Sequence, residues 1–194
     1  MKRSDVTSVL SVNSHEKNLP LKMSRANLDN LPAFTLPKDF SLRWYQPGDE
    51  AHWLRLHLAA DKHNEITLEL FQNQFGAGEK NLRERQGYLL SSGGEVIGTG
   101  TAWFDDQFVG GPWGRVHWMA ILPVFQGRGL GKALLSAICR RLRELGHGRA
   151  YLSTSSARLA AIKLYLRFGF APMMLSEEDE AAWKELLAVA ARAS

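Results

Sequence analysis

Between Gln126 and Lys132 the chain reads Gln-Gly-Arg-Gly-Leu-Gly-Lys, with glycines at alternate positions and a cation both inside the run and at its end. A glycine has no Cβ and tolerates positive φ, so successive backbone N–H groups in such a run can converge on one point. An apolar, strand-like stretch from Val116 to Leu122 precedes the loop, and a strongly patterned helix comes after it. The start of that helix adds a partial positive charge, worth about 0.3–1 kcal/mol per exposed anionic contact. Arg128 and Lys132 add full charges. The chemistry is anion binding.

Two familiar phosphate loops do not fit. A P-loop requires glycine five residues before the Gly-Lys pair and Ser or Thr after it, where this chain has Gln126 and Ala133. The dinucleotide pattern started from Gly127 requires a third glycine at Lys132. What remains is Gln-x-x-Gly-x-Gly between a strand and a helix; taken alone, a glycine-rich turn that binds nothing competes with it. A second stretch, Ala161-x-x-Leu164-Tyr165-x-x-x-Gly169-Phe170, puts a tyrosine on an amphipathic helix, where tyrosine by itself reads as packing. His117 lies on the strand before the loop and is a candidate base or water relay, against the plainer reading of a packed or hydrogen-bonded histidine. Histidines 52, 57 and 63 are spaced by five and six residues, which puts them on no common helical face for a metal; solvated or locally bonded side chains are expected.

The elements that must position these residues are legible in outline. Residues 1 to 38 are polar and patternless, with prolines at 20, 32 and 37, and read as an extended N-terminal arm ahead of one domain over 39–194. Phe40 to Tyr45 forms a first strand, Pro47-Gly48-Asp49 turns into a helix with Trp53, Leu54, Leu56, Leu58 and Ala59 on its apolar side, and Thr67 to Phe75 is a second helix. Tyr88 to Leu90 and Val96 to Phe104 make a hairpin, and Arg115 to Leu122 is the fourth strand. Strict alternation there sets Arg115, His117, Met119 and Ile121 on one face and Val116, Trp118, Ala120 and Leu122 on the other. The next helix buries Leu130, Leu134, Ile138, Leu142 and Leu145 and stops at Gly146. Arg149 to Ser155 is a fifth strand, and Ser156 can cap a helix over 157–168. Phe170 to Leu175 is a last strand, and Ser176 with Asp179 opens a final helix with Trp183, Leu186, Leu187 and Ala190 on its apolar side.

This order of elements and both motifs resemble the GNAT superfamily of acyl-CoA-dependent N-acyltransferases over most of residues 40 to 175. The resemblance implies an α/β (α+β) fold with a mixed central sheet of six to seven strands, flanked by helices and splayed between the fourth and fifth strands. It implies acetyl-CoA or another acyl-CoA as co-substrate, with the pyrophosphate on Gln126, Gly127, Arg128, Gly129, Leu130, Gly131 and Lys132 and the pantetheine arm paired to the backbone of Met119, Ala120 and Ile121. It also implies Tyr165 as the general acid. Two positions depart from the family pattern. Arg158 stands where many members have asparagine, and still suits coenzyme phosphates; Arg115 and Ser153 stand where some have a catalytic glutamate, so no carboxylate base carries over.

Composition narrows the alternatives. The 194 residues, 45% hydrophobic and 23% charged, suit a soluble globular protein. The net charge of +4 and a pI near 9.3 suit polyanionic ligands in general. Arg140, Arg141 and Arg143 lack an aromatic platform beside them, so no nucleic-acid partner is expected. Cys139 is the sole cysteine, which excludes an intrachain disulfide; no metal site, no membrane span, a cytoplasmic location and a monomer or homodimer are expected. The implied activity is direct transfer of an acetyl or other acyl group to an unidentified amine acceptor. The alternative is a catalytically inactive acyl-CoA-binding regulatory module. Asp105, Asp106, Trp103 and Trp113 could receive a cationic or aromatic amine, although acidic loop residues are usually only solvated.

Overall fold

A computed structural model describes residues 18–76 and 78–192. Its strands are β1 (Pro20–Arg25), β2 (Phe40–Trp44), β3 (Gln86–Ser91), β4 (Val96–Asp105), β5 (Trp113–Ile121), β6 (Ala150–Ser155) and β7 (Ala171–Met173). Its helices are α1 (Glu50–Ala60), α2 (Leu68–Phe75), α3 (Glu79–Arg85), α4 (Leu130–Glu144), α5 (Leu159–Arg167) and α6 (Glu177–Arg192). These elements give a mixed α/β fold in two compact units. One is Asp29–Gly148; the other joins Leu28 and the described residues before it to Arg149 and those after it.

In the first unit β2, β3, β4 and β5 pair in that order, each antiparallel to the next. Helices α1 and α2 lie against one another, and α1 packs on β4 and β5. The start of α1 is fixed by Asp49, a buried carboxylate that accepts the Gln46 N–H at 2.7 Å and both Arg43 guanidinium nitrogens at 2.6 and 2.7 Å. Thr67 caps α2 by accepting the Leu70 N–H at 3.0 Å. Helix α4 buries Leu130, Leu134, Ile138 and Leu142 as its periodicity predicts, while Leu145 is only half-buried. It packs closely on β4: a Cβ on Gly100 would lie 3.3 Å from Ile138 Cγ1 and 3.1 Å from Met119 Cγ. The arginines of this helix go to neighbours. Arg141 donates to the Glu84 C=O at 2.6 Å and lies over the Trp44 ring, Arg143 pairs with Asp29 at 3.3 Å, and Arg140 pairs with Glu144 at 3.6 Å.

In the second unit β1 lies between β6 and β7, antiparallel to both. Six residues of the segment read as an arm form this strand. Residues 1–17 lie outside the described residues, but Pro20–Arg25 is a central strand whose Leu21 and Met23 are buried. This unit ends at Leu28 on its N-terminal side, and β1 finds its partners more than a hundred residues away in the chain. Ser156 does not cap α5, which starts from Arg158; its Oγ accepts the Leu19 N–H at 2.9 Å and so fixes the entry to β1. Ser176 does open α6, accepting the Asp179 N–H at 3.2 Å, and the Asp179 carboxylate in turn accepts from the Leu175 N–H and from Lys22 Nζ on β1. Trp183 and Leu186 are buried beneath that helix; the side chain of Ala190 lies outside the described ones.

Candidate active site

The glycine loop has the conformation that its composition requires. Gly127 and Gly129 both take left-handed φ, +77° and +79°, and Gly129 is the N-cap of the fifteen-residue helix α4. The first intrahelical bonds run from the Lys132 and Ala133 N–H groups to the Gly129 C=O, at 3.2 and 3.4 Å. Among the described residues no backbone carbonyl accepts from the N–H groups of Gly127, Arg128, Gly129, Leu130 or Gly131, so five donors stand at the positive end of a helix dipole. Gln126 is spent on the fold: its side-chain amide donates to the Ile121 C=O at 2.9 Å and ties the loop to the end of β5. Arg128 donates to the Val124 C=O at 3.3 Å and lies over the Phe125 ring; Lys132 Nζ lies 5.1 Å from the centroid of Phe34. Gly129→Val should weaken coenzyme A binding at least tenfold, because a β-branched residue at φ +79° distorts the loop. Gly131→Val should do the same, by putting bulk where the N–H groups are approached. Calorimetry on folded variants measures both, and unchanged affinity in the two would remove the loop from the site.

Strand β5 departs from strict alternation. Its register with β4 shifts between Thr99↔Ala120 and Thr101↔His117, and Trp118 at the bulge takes φ +46°. A non-glycine residue there costs of order 1–3 kcal/mol, which its surroundings must offset. They do so with aromatic packing against Trp53 and His57, at centroid distances of 5.2 and 5.1 Å, and with a 3.0 Å bond from Trp118 Nε1 to Gln74. The consequence is that His117 and Trp118 share the α1–α2 face of the sheet while Met119 turns to the α4 face, so His117 and Met119 do not share a face as alternation predicts. Beyond the bulge the Leu122 N–H bonds to the Ile97 C=O at 2.9 Å. By antiparallel alternation the polar groups of Ala120 then point to β4 and those of Met119 and Ile121 point away from it.

His117 is almost fully buried against Phe75 and Trp118, and its Nε2 has no hydrogen-bond partner among the described residues. Burial, with smaller contributions from Arg115 and His57, drives its pKa well below the usual imidazole range, so the ring is neutral at pH 7. His57 belongs to the same aromatic group rather than to the solvated surface. Because the unfolded chain takes up a proton near pH 6.5 and the folded His117 does not, stability should fall as pH drops below about 6.5. His117→Phe should flatten part of that fall when denaturation midpoints at pH 5 and pH 7 are compared; an unchanged difference would assign the fall elsewhere.

Tyr165 and Arg158 belong to the second unit. Tyr165 is half-buried near the end of α5, with its ring set edge-on to Phe170 at 6.2 Å. Its C=O accepts the Phe170 N–H at 3.0 Å while Gly169 bonds to the Leu166 C=O, a Schellman ending that explains the Gly-Phe pair in the motif. Arg158 is the N-cap of α5, and its C=O accepts the Ile162 N–H at 3.0 Å. Of the residues named for the acceptor, Trp113 is buried and closes its own loop by donating to the Val109 C=O at 2.8 Å, while Trp103 is half-buried and stacks on Phe104. No group of three or more His, Cys, Asp or Glu among the described residues is placed to hold a metal.

The sequence profile of the acetyltransferase (GNAT) family matches residues 43–170, a span that holds the loop, β5 and Tyr165. The chain belongs to this family. Its relatives include mycothiol acetyltransferases. That of Pseudarthrobacter chlorophenolicus is 34% identical over 155 residues, covering 77% of this chain and 48% of that protein. That of Nocardia farcinica is 33% identical over 156 residues, covering 73% and 48%. The chain thus spans about half the length of these curated relatives. In fold this GNAT chain is similar to a GCN5-related N-acetyltransferase from Sphaerobacter thermophilus, with a TM-score of 0.64 at 22% identity over 80% of this chain and 49% of that one. It is also similar to glucosamine-6-phosphate N-acetyltransferase from Arabidopsis thaliana, with a TM-score of 0.53 at 17% identity over 71% and 95%.

Proposed function

We propose that this chain is an N-acyltransferase that moves an acetyl group from coenzyme A directly to an amine. The observation that carries this is the loop from Gly127 to Gly131, whose five N–H groups lack backbone acceptors at the head of α4 in a GNAT-family chain. A pyrophosphate fits this donor set, with Arg128 and Lys132 for the remaining phosphate charge and Arg158 as a third cation. The polar groups of Met119 and the N–H of Ile121, which point away from β4, suit the amide-bearing pantetheine arm; the Ile121 C=O already accepts from Gln126.

Acetyl-CoA supplies an activated acyl group. The amine forms the new C–N bond as the C–S bond breaks, and two protons must be handled. An alkyl amine of pKa near 10.4 loses its proton at a cost of about 4.6 kcal/mol at pH 7. His117, neutral but buried, serves at most as an acceptor through water; otherwise the proton goes to solvent. Charge that develops on the carbonyl oxygen is stabilised by the Met119 N–H, which the bulge at Trp118 aims away from β4. The departing sulfur takes its proton from Tyr165.

The acceptor is a small-molecule or protein amine; since the relatives at 34% and 33% identity are mycothiol acetyltransferases, a mycothiol-type amine heads the candidates. The setting is cytoplasmic, consistent with a single buried cysteine, and no described helix is long and apolar enough to cross a membrane. Incubation with acetyl-CoA and an amine panel, monitoring free thiol and acetylated product, tests the activity. Release of thiol that depends on an amine is expected; coenzyme A binding without release under any amine would leave a regulatory module instead.

A further inference from the structure

We propose that Phe34, in the segment before β2, is a stacking platform for the adenine ring of the coenzyme. This rests on the loop's being the coenzyme site. An exposed aromatic ring needs no explanation by itself, but this one is fixed beside the loop. Ser136, two turns into α4, accepts the Phe34 N–H at 3.0 Å and donates to the Pro32 C=O at 3.0 Å, so the backbone on both sides of Ala33 is pinned to the helix. The ring remains 42% exposed. Lys132 links the two features: it ends the glycine loop, and its ammonium lies 5.1 Å from the ring centroid. The phenyl group therefore stands within the reach of one lysine side chain from donors suited to a pyrophosphate. On the side of the pyrophosphate away from the pantetheine arm, coenzyme A carries a phosphorylated ribose and a purine. A purine has a flat π-face, an exposed phenyl ring offers another, and the cation already over Phe34 adds attraction for the phosphates between them.

The segment thus has a use that its proline-containing, patternless sequence does not suggest. It brings an aromatic ring to a helix that carries only aliphatic and polar side chains of its own over Leu130–Glu144.

The test compares three ligands, coenzyme A, adenosine 3′,5′-bisphosphate and 4′-phosphopantetheine, by calorimetry on wild type, Phe34→Ala, Phe34→Leu and Phe34→Trp. Thermal unfolding checks that each variant is folded. Phe34→Leu keeps most of the volume, so it stands in if Phe34→Ala does not fold. We expect the alanine and leucine variants to bind coenzyme A and the bisphosphate about tenfold more weakly, Phe34→Trp to bind them at least as well as wild type, and 4′-phosphopantetheine to bind all four alike. Equal losses for 4′-phosphopantetheine would reduce Phe34 to a support for Lys132 and overturn the proposal, as would unchanged affinity for the bisphosphate. If wild type binds none of the three, the coenzyme site itself falls, and the platform with it.

Discussion

Tyr165→Phe should lower turnover by ~10²–10⁴, equivalent to about 3–5 kcal/mol of transition-state stabilisation, while leaving coenzyme A affinity nearly unchanged. The substitution is informative because it keeps the ring and the backbone bond and removes only the hydroxyl. The edge contact with Phe170 and the Schellman bond from the Phe170 N–H to the Tyr165 C=O both survive in phenylalanine. A packing role therefore predicts little change. A thiol of pKa near 8.5 leaves more readily when a hydroxyl donates to it, so an acid role predicts a loss confined to the chemical step. Single-turnover measurement of thiol release separates that step from product dissociation. Near-normal chemistry in the variant would leave Tyr165 structural.

Met23→Ala should destabilise the protein by about 2–5 kcal/mol, as for other fully buried methionines, whereas Met23→Leu should cost less than about 1.5 kcal/mol. Met23 has no exposed surface and sits at the centre of β1, opposite Leu152 on β6 and Pro172 on β7. A loosely laid arm would give a change within about 0.5 kcal/mol, as surface positions do. Denaturant melts of the two variants decide between a strand and an arm.

The parts of the fold that could be read from the sequence are those set by local chemistry. The stripe of α4 repeats every three or four residues over four turns, the Ser176–Asp179 cap lies within one turn, and the glycine loop announces its backbone by omitting Cβ atoms. Strand β1 could not be read in the same way. Its alternation of Leu21 and Met23 with Lys22 and Ser24 is short, begins at a proline, and becomes a strand only because β6 and β7 offer edges far along the chain. Helix α3 buries only Leu82, too little for a periodic signal. The bulge in β5 is invisible for a different reason. Tryptophan gives no hint of positive φ, and Trp118 holds it only because Trp53, His57 and Gln74 surround the side chain. That one residue changes which side chains share a face with His117, so an error at the bulge propagates into the candidate site. Ser156 shows the same limit at a helix start: a serine suited to capping was already bonded to Leu19.

Whether the glycine loop holds the coenzyme can be settled by titrating coenzyme A into isotopically labelled protein and recording backbone amide NMR spectra. Saturable shifts should be largest at Gly127, Arg128, Gly129, Leu130 and Gly131, with Met119 and Ile121 next, since these are the N–H groups left without backbone acceptors or pointing away from β4. Saturable binding that leaves the loop amides unmoved, or the absence of binding at millimolar coenzyme, would contradict a coenzyme site at the head of α4.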